Sequence, residues 1–362
     1  MNKRKKERVG IIGTVGIPAK YGGFETLAEH LVKEKGDEIE FLVYCSKKAY
    51  PGGTVGHKNA ILKYLPLNAN GLQSIPYDIW SILHSIKKAD SLLILGVSGC
   101  FVLPLVRLIT RKKIVVNIDG LEWKRDKWGK FARKFLKFSE RIAVKYANDI
   151  VADNKVIQDY VFKSYRKNAQ LIAYGGDHTQ SEDISPDTIL NFPFLNEPYA
   201  FKVCRIEPEN NIELIIKAFS TSGKLNLIII GNWENNYYSR RLKRKYMGVD
   251  NIFLVNPIYN QKKLNEIRSN CLLYVHGHSA GGTNPSLVEA MYLKLPILAY
   301  GINYNKATTQ NKALYFEDQQ SLIDILRSLD YVKLKEISEE VYKIAREEYT
   351  WTKIANQYSE LL

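Results

Sequence analysis

The sequence predicts a two-domain α/β protein, each domain a parallel sheet covered by helices. Three observations carry that prediction. Short β-branched apolar runs alternate with helical patterns from the N-terminus to about residue 175. The same alternation resumes at Tyr199. Between them, Gly175–Pro198 is rich in Asp, Ser, Pro, Gly and Asn and carries Pro186, Pro193 and Pro198, the composition of a linker. Alternating strands and helices bury a parallel sheet on both faces, and 362 residues suffice for two cores. The expectation is two Rossmann-like domains facing each other across a cleft.

In the first half, Arg8–Thr14 reads as a buried strand, Gly23–Lys35 as a helix and Glu40–Tyr44 as a strand; Ser91–Val97, Lys113–Ile118 and Asp149–Ala152 read as further strands. In the second half, strands are expected at Tyr199–Cys204, Leu225–Gly231, Ile252–Val255, Leu272–His276 and Ile297–Tyr300, with helices at Asn211–Ser220, Gln261–Asn270 and Pro285–Tyr292. A break at Tyr349-Thr350 precedes a final helix, Trp351–Leu362. The expected boundaries are therefore a domain at 1–175, a linker at 176–198, a domain at 199–348 and a C-terminal helix at 349–362 that crosses back to the first domain.

Apolar content of 45% and charged content of 25% are ordinary globular values and exclude a disordered or fibrous chain. Cys45, Cys100, Cys204 and Cys271 lie far apart with no CxxC, which argues against a disulfide framework or structural zinc and for reduced thiols in the cytosol. The basic start Asn2-Lys3-Arg4-Lys5-Lys6 runs into an apolar stretch too short for an export signal. The uncharged run Ser91–Val106 is interrupted by Gly96, Gly99 and Pro104 and is too short to span a bilayer.

The net charge of +14 is unevenly placed. Residues 1–175 hold 31 Lys and Arg against 16 Asp and Glu, so the whole excess sits in the first half and points to an anionic partner there. It concentrates between Trp123 and Lys145. Trp128, Phe131, Phe135, Phe138, Ile142 and Tyr146 recur at helical spacing, with Lys127, Lys130, Arg133, Lys134, Lys137 and Arg141 largely between them. Such a helix either lies in the headgroup region of an anionic membrane or is an ordinary surface helix with its aromatics in the core. Nucleic acid is not expected, because no RNA-binding signature accompanies the charge.

Three motifs carry chemistry. After the first strand comes a glycine-rich turn, Gly13–Thr26, where Gly16, Gly22 and Gly23 let backbone approach a ligand or simply form a turn. It lacks the dinucleotide-binding GxGxxG pattern. After the strand at Tyr199 comes Cys204–Asn211, in which Arg205 can bond a diphosphate bidentately. After the strand at Leu272 comes His276–Met291. Backbone N–H groups of Gly282, Thr283, Asn284 and Ser286 can hold phosphate or sugar oxygens there, with Pro285 at the helix start and Glu289 placed to accept ribose hydroxyls. His276 and His278 lack further ligands for zinc, so no metal is expected and His278 reads as a polar contact.

These blocks resemble the GT-B glycosyltransferases of the retaining family-4 type. More narrowly, Gly13–Thr26, Asn117–Arg125, and Pro208–Asn211 with His278–Met291 resemble bacterial dTDP-rhamnose-dependent rhamnosyltransferases of surface-polysaccharide synthesis. Two positions depart from the wider family: Asn210 stands where a Lys is usual, and Gly281 where a Glu is usual. Both departures suit the rhamnosyl subgroup. The resemblance implies a nucleotide diphospho-sugar donor, dTDP-β-L-rhamnose, as co-substrate with no cofactor. Arg205, Asn210, Asn211, His278, Gly281, Gly282, Thr283, Asn284, Pro285, Ser286 and Glu289 would hold it, and the Gly16–Gly23 loop would close over it.

The acceptor implied is a polyprenyl-diphosphate-linked sugar at the inner face of the cell membrane, approached by Trp128, Lys130, Phe131, Arg133, Lys134 and Lys137. Asp119 and Glu122 are the expected catalytic residues. Asp119 either positions the acceptor hydroxyl or steadies positive charge at the anomeric carbon, or it merely caps the turn at Gly120. The alternatives are another hexose from a UDP- or GDP-sugar, a GT-B-like sugar-nucleotide epimerase, or a binding module without turnover.

Overall fold

The computed structural model describes residues 6–20, 22–125 and 128–362. The chain forms two compact units, Met1–Tyr174 with Trp351–Leu362, and Gly175–Thr350.

The described residues of the first unit hold an eight-stranded sheet made of β1 (Arg8–Ile12), β2 (Glu40–Ser46), β3 (Gly56–His57), β4 (Ala60–Leu65), β5 (Ser91–Leu95), β6 (Lys113–Asn117), β7 (Asp149–Ala152) and β8 (Gln170–Leu171). Its order is β3-β4-β2-β1-β5-β6-β7-β8, and every pairing is parallel except β3 with β4. The central strands read as continuous apolar runs because both faces are covered: all five residues of β5 are buried. Gly10 is required on β1 because a Cβ there would strike the Ser85 hydroxyl of the helix Ser74–Lys88 packed above it.

Trp351–Glu360 closes this unit. Its Trp351 ring stacks on His30 at 4.2 Å, and the Tyr358 hydroxyl accepts from the Asn117 amide at 2.8 Å.

The second unit holds a six-stranded, all-parallel sheet of β9 (Tyr199–Val203), β10 (Asn226–Ile230), β11 (Ile252–Val255), β12 (Leu273–His276), β13 (Ile297–Tyr300) and β14 (Leu314–Phe316). Its order is β11-β10-β9-β12-β13-β14. Helices Ile212–Ser222 and Gln319–Arg327 cover one core of Ile215, Ile216, Phe219, Leu227, Ile229, Val275 and Leu322.

Three expectations need correction. Gly175–Pro198 is not a free linker. It belongs to the second unit and carries a short helix, Pro186–Asn191, whose N-terminal Ser185 donates to Glu266 at 2.7 Å, while Phe194 stacks on Phe253 at 4.1 Å. Its Pro, Ser and Asp residues serve as helix-start signals rather than as linker composition.

The basic aromatic segment is a turn at Glu122–Lys124 followed by a helix, Lys130–Tyr146, with Asp126 and Lys127 outside the described residues. Its buried face is Leu136, Ser139, Glu140, Ala143 and Val144, whereas Phe131 is 91% and Phe138 54% exposed. The aromatic stripe therefore does not lie in the core. Glu140 does, because four groups satisfy its carboxylate: the Trp123 indole N–H at 2.8 Å, the Tyr160 and Tyr165 hydroxyls at 2.5 Å each, and Lys137 at 3.2 Å.

Finally, strands β3, β4, β8 and β14 have no counterpart in the sequence pattern, nor do helices Ser74–Lys88, Tyr237–Tyr246, Gln319–Arg327 and Tyr331–Glu348.

Candidate functional site

In the second unit, the loops after β9 and β12 leave neighbouring strands at their C-terminal ends, where ligands of open parallel sheets bind. Hydrogen bonds stitch the two loops together. The Asn210 amide donates to the Arg205 carbonyl at 2.8 Å and its oxygen meets His278 Nδ1 at 3.0 Å. Asn211 adopts φ 50° and donates to the Gly277 carbonyl at 2.9 Å, while the Ser279 N–H donates to the Glu209 carbonyl at 2.8 Å. Gly277 is obligatory, since a Cβ there would collide with the Asn210 carbonyl. Asn210 thus supplies a neutral brace between the two loops.

Arg205 is exposed on this loop. Among the described residues no ion pair or hydrogen bond engages its guanidinium, so its charge remains available to an anion.

Gly281 has φ 104°, a conformation other residues rarely adopt, and turns the chain toward the helix Pro285–Tyr292. Asn284 caps that helix, accepting from the Ser286 N–H at 3.1 Å and its hydroxyl at 2.8 Å, with Pro285 in the first turn. Tyr274 donates to Ser286 at 3.0 Å, and the buried Thr283 hydroxyl lies 3.5 Å from that of Thr308.

One turn into the helix, Glu289 is clamped by Arg268 at 2.5 Å and by His178 at 3.2 Å. Burial alone would raise its carboxyl pKa, but the Arg268 charge and the His178 bond outweigh it and hold the carboxyl down at about 2. Glu289 is therefore an ionised, oriented acceptor. The sequence gives no sign of Arg268 or His178 in this role, because each reaches Glu289 only through the tertiary fold. Below the loops, His276 is buried with its Nε2 unpartnered among the described residues. Burial, with Lys202 and His278 nearby, keeps it neutral.

In the first unit, the turn after β1 is held by its own protein groups. Gly13, Gly16 and Gly22 have φ of 89°, 136° and 130°. Glu25, buried in the first turn of the helix Gly23–Lys35, accepts from the Val15 N–H at 2.6 Å. Thr14 accepts from the Gly16 N–H at 2.9 Å, and Tyr50 donates to the Gly16 and Pro18 carbonyls at 3.0 and 2.8 Å. A Cβ at Gly22 would strike the Glu25 carboxylate. Val15 and Gly16 have thus spent their N–H groups within the protein.

After β6, Asp119 is half-buried at φ 58°, its N–H bonded to Asn117 Oδ1 at 2.9 Å. No hydrogen bond or ion pair among the described residues engages its carboxylate, so it does not cap the Gly120 turn. Glu122, expected at the reaction centre, is committed elsewhere: it accepts from the Trp128 indole at 2.9 Å and pairs with Arg125 at 2.9 Å. Of the expected membrane-facing residues, Lys130, Phe131 and Lys134 are exposed. Arg133 instead donates to the Trp128 carbonyl at 2.8 Å, and Lys137 sits over the Trp123 and Tyr160 rings at 4.2 and 4.5 Å.

With this geometry in view, the comparisons with known proteins divide the chain in the same place. Residues 6–177 match the profile of a domain of unknown function, DUF1972. Residues 191–347 match the family described as glycosyl transferases group 1. That matched stretch contains every residue of the stitched loops, the Asn284 cap and Glu289.

A probable sucrose-phosphate synthase of Thermosipho melanesiensis is 26% identical over 272 residues, spanning 66% of this chain and 61% of that protein's length. Among solved structures, sucrose-phosphate synthase from Thermosynechococcus elongatus superposes with a TM-score of 0.79 at 15% identity, over 98% of both chains. Anabaena HepE in complex with UDP-glucose does so with a TM-score of 0.71 at 12% identity, again over 98% of both chains. The fold is therefore the two-domain GT-B fold.

Proposed function

We propose that this protein is a glycosyltransferase that takes a sugar from a nucleotide diphospho-sugar bound by the second unit, whose residues 191–347 match the group 1 glycosyl transferases. The observation that carries the reading is the juxtaposition of a free Arg205 with a helix whose Glu289 is held ionised by Arg268 and His178. Glu289 accepts the ribose hydroxyls. Arg205 and the N–H groups of Gly281–Asn284 meet the diphosphate, where negative charge grows as the nucleotide departs. In the first unit, Asp119 steadies the acceptor hydroxyl or the positive charge at the anomeric carbon.

The donor we propose is dTDP-β-L-rhamnose, on the strength of Asn210 and Gly281, and the acceptor a saccharide on a polyprenyl diphosphate. A second reading, transfer of glucose from UDP-glucose, is favoured by the likeness to a structure solved with that donor.

The test offers the purified protein a panel of sugar nucleotides with a lipid-diphosphate saccharide, products being read by mass. A deoxyhexose gain from dTDP-rhamnose alone, persisting in EDTA, is the expected result. A hexose gain from UDP-glucose replaces the donor assignment. Acceptor-free conversion of the sugar nucleotide supports an epimerase, and nucleotide binding without any turnover overturns the enzymatic reading. Arg205→Ala should weaken donor binding about tenfold or more, as loss of a charge-assisted contact to the diphosphate does.

A further inference from the structure

We infer that the ends of two packed helices in the first unit, Leu103–Ile109 and Lys130–Tyr146, form a headgroup-phosphate pocket beside an apolar ridge, and that this face docks on an anionic phospholipid bilayer. The inference deepens the lipid-linked-acceptor reading and rests on it for its purpose.

The pocket is an open cavity of about 370 Å³ whose lining includes Arg107, Thr110, Arg111, Lys145 and Asn148, and no acidic side chain lines it. Arg107 is built in as its floor. It donates to the Tyr146 carbonyl at 2.9 Å, to the Lys112 carbonyl at 2.8 Å and to Asn148 Oδ1 at 2.6 Å. All three acceptors are neutral, so the guanidinium is fixed in place with its charge uncancelled. Neither Arg111 nor Lys145 has an ion pair among the described residues; Lys145 only lies over the Tyr146 ring at 5.4 Å. The nearest acid in sequence, Asp149, pairs with Lys113 at 3.5 Å. Three cations around a cavity without a counter-charge call for an anion, with room for a phosphate.

The second observation is apolar. Leu105, Leu108 and Ile109 are 63%, 84% and 70% exposed, and their spacing of three and four puts them on one outward face. The neighbouring helix exposes Phe131 and Phe138 at a seven-residue spacing, flanked by the exposed Lys130, Lys134 and Arg141. An aliphatic ridge with a basic pocket at its end matches the layering of a bilayer surface, acyl chains below and anionic headgroups above. A free sugar phosphate would account for the pocket but not for the ridge.

The membrane face so defined differs from the one expected from the sequence. Arg133 and Lys137 are turned to protein partners, and the helix Leu103–Ile109 takes their place.

The test is co-sedimentation of the full chain with phosphatidylcholine vesicles, with and without phosphatidylglycerol, at physiological salt. Binding only to the anionic vesicles is expected. The double variant Arg111→Glu/Lys145→Glu should lower partition at least about 20-fold, since each basic residue near such a surface contributes about 1 kcal/mol before reversal. Leu108→Glu should lower it independently, and Lys262→Glu in the second unit should leave it unchanged. An unchanged far-UV circular dichroism spectrum and an unchanged thermal transition of the first unit in each variant verify the fold.

Vesicle binding unchanged by the double variant overturns the inference. So does saturable binding of inorganic phosphate with no vesicle partition, or a dimer that Leu108→Glu dissociates in the absence of vesicle binding. Vesicle binding without sugar transfer sinks the transferase reading alone. Transfer to a soluble acceptor by a protein that ignores vesicles sinks this inference alone.

Discussion

Asp119 holds a left-handed backbone, φ 58°, on an aspartate whose carboxylate has no hydrogen-bond or ion-pair partner among the described residues. Under the proposed function, that uncommitted carboxylate is the group that serves the reacting sugars. Asn tolerates the same backbone, so Asp119→Asn removes the charge and spares the turn. The expected outcome is a fall in kcat of about 100-fold or more with unchanged nucleotide affinity, measured by steady-state kinetics and titration of UDP. Asp78 is a different case. It is buried, and burial pushes its carboxyl up to about 7 against 3.8 in the open chain, with the Ser98 hydroxyl bond offsetting part of the rise. The folded state therefore keeps a proton that the unfolded state has lost, and stability falls as pH rises between about 4 and 7. Asp78→Asn mimics the protonated form. It should raise Tm by several degrees near pH 8 and change it little near pH 4.

At the scale of elements, the helix Lys130–Tyr146 is set by one buried acid rather than by its aromatics. Glu140 carries two hydroxyls, an indole N–H and an ammonium, so Glu140→Ala removes the buried acceptor that all four share. A loss of about 3 kcal/mol or more in urea melts is the expected cost. Much of the fold and site is legible in the sequence, and this helix shows where legibility stops. Parallel strands announce themselves as apolar runs, and Gly281, Asn284, Pro285 and Glu289 follow turn and cap chemistry that is local. The Trp128–Tyr146 stripe has true helical period, yet periodicity gives a helix and not the face that is buried. Trp123, Tyr160 and Tyr165 decide that face, and only the fold brings them together. His178 and Arg268 are hidden for the same reason: nothing near either in the chain points to Glu289.

For the whole molecule, the governing feature is that the first unit is discontinuous. It is completed by Trp351–Leu362, whose Trp351 is 2% exposed and stacked on His30. Trp351→Ala should destabilise the first unit by about 3–5 kcal/mol while UDP binding by the second unit survives, seen as one thermal transition moving and the other staying. The same feature fixes an order of events during synthesis. Chains are made from the N-terminus, and units fold as they become complete. Here the half that emerges earliest is finished only by a segment translated after the whole of Gly175–Thr350. Until then Asn117 lacks the Tyr358 hydroxyl it donates to, and the helix Gly23–Lys35 lacks the helix that covers it. The contiguous second unit is thus positioned to reach its native state first on the ribosome, and a basic, incompletely covered first half waits for its final helix.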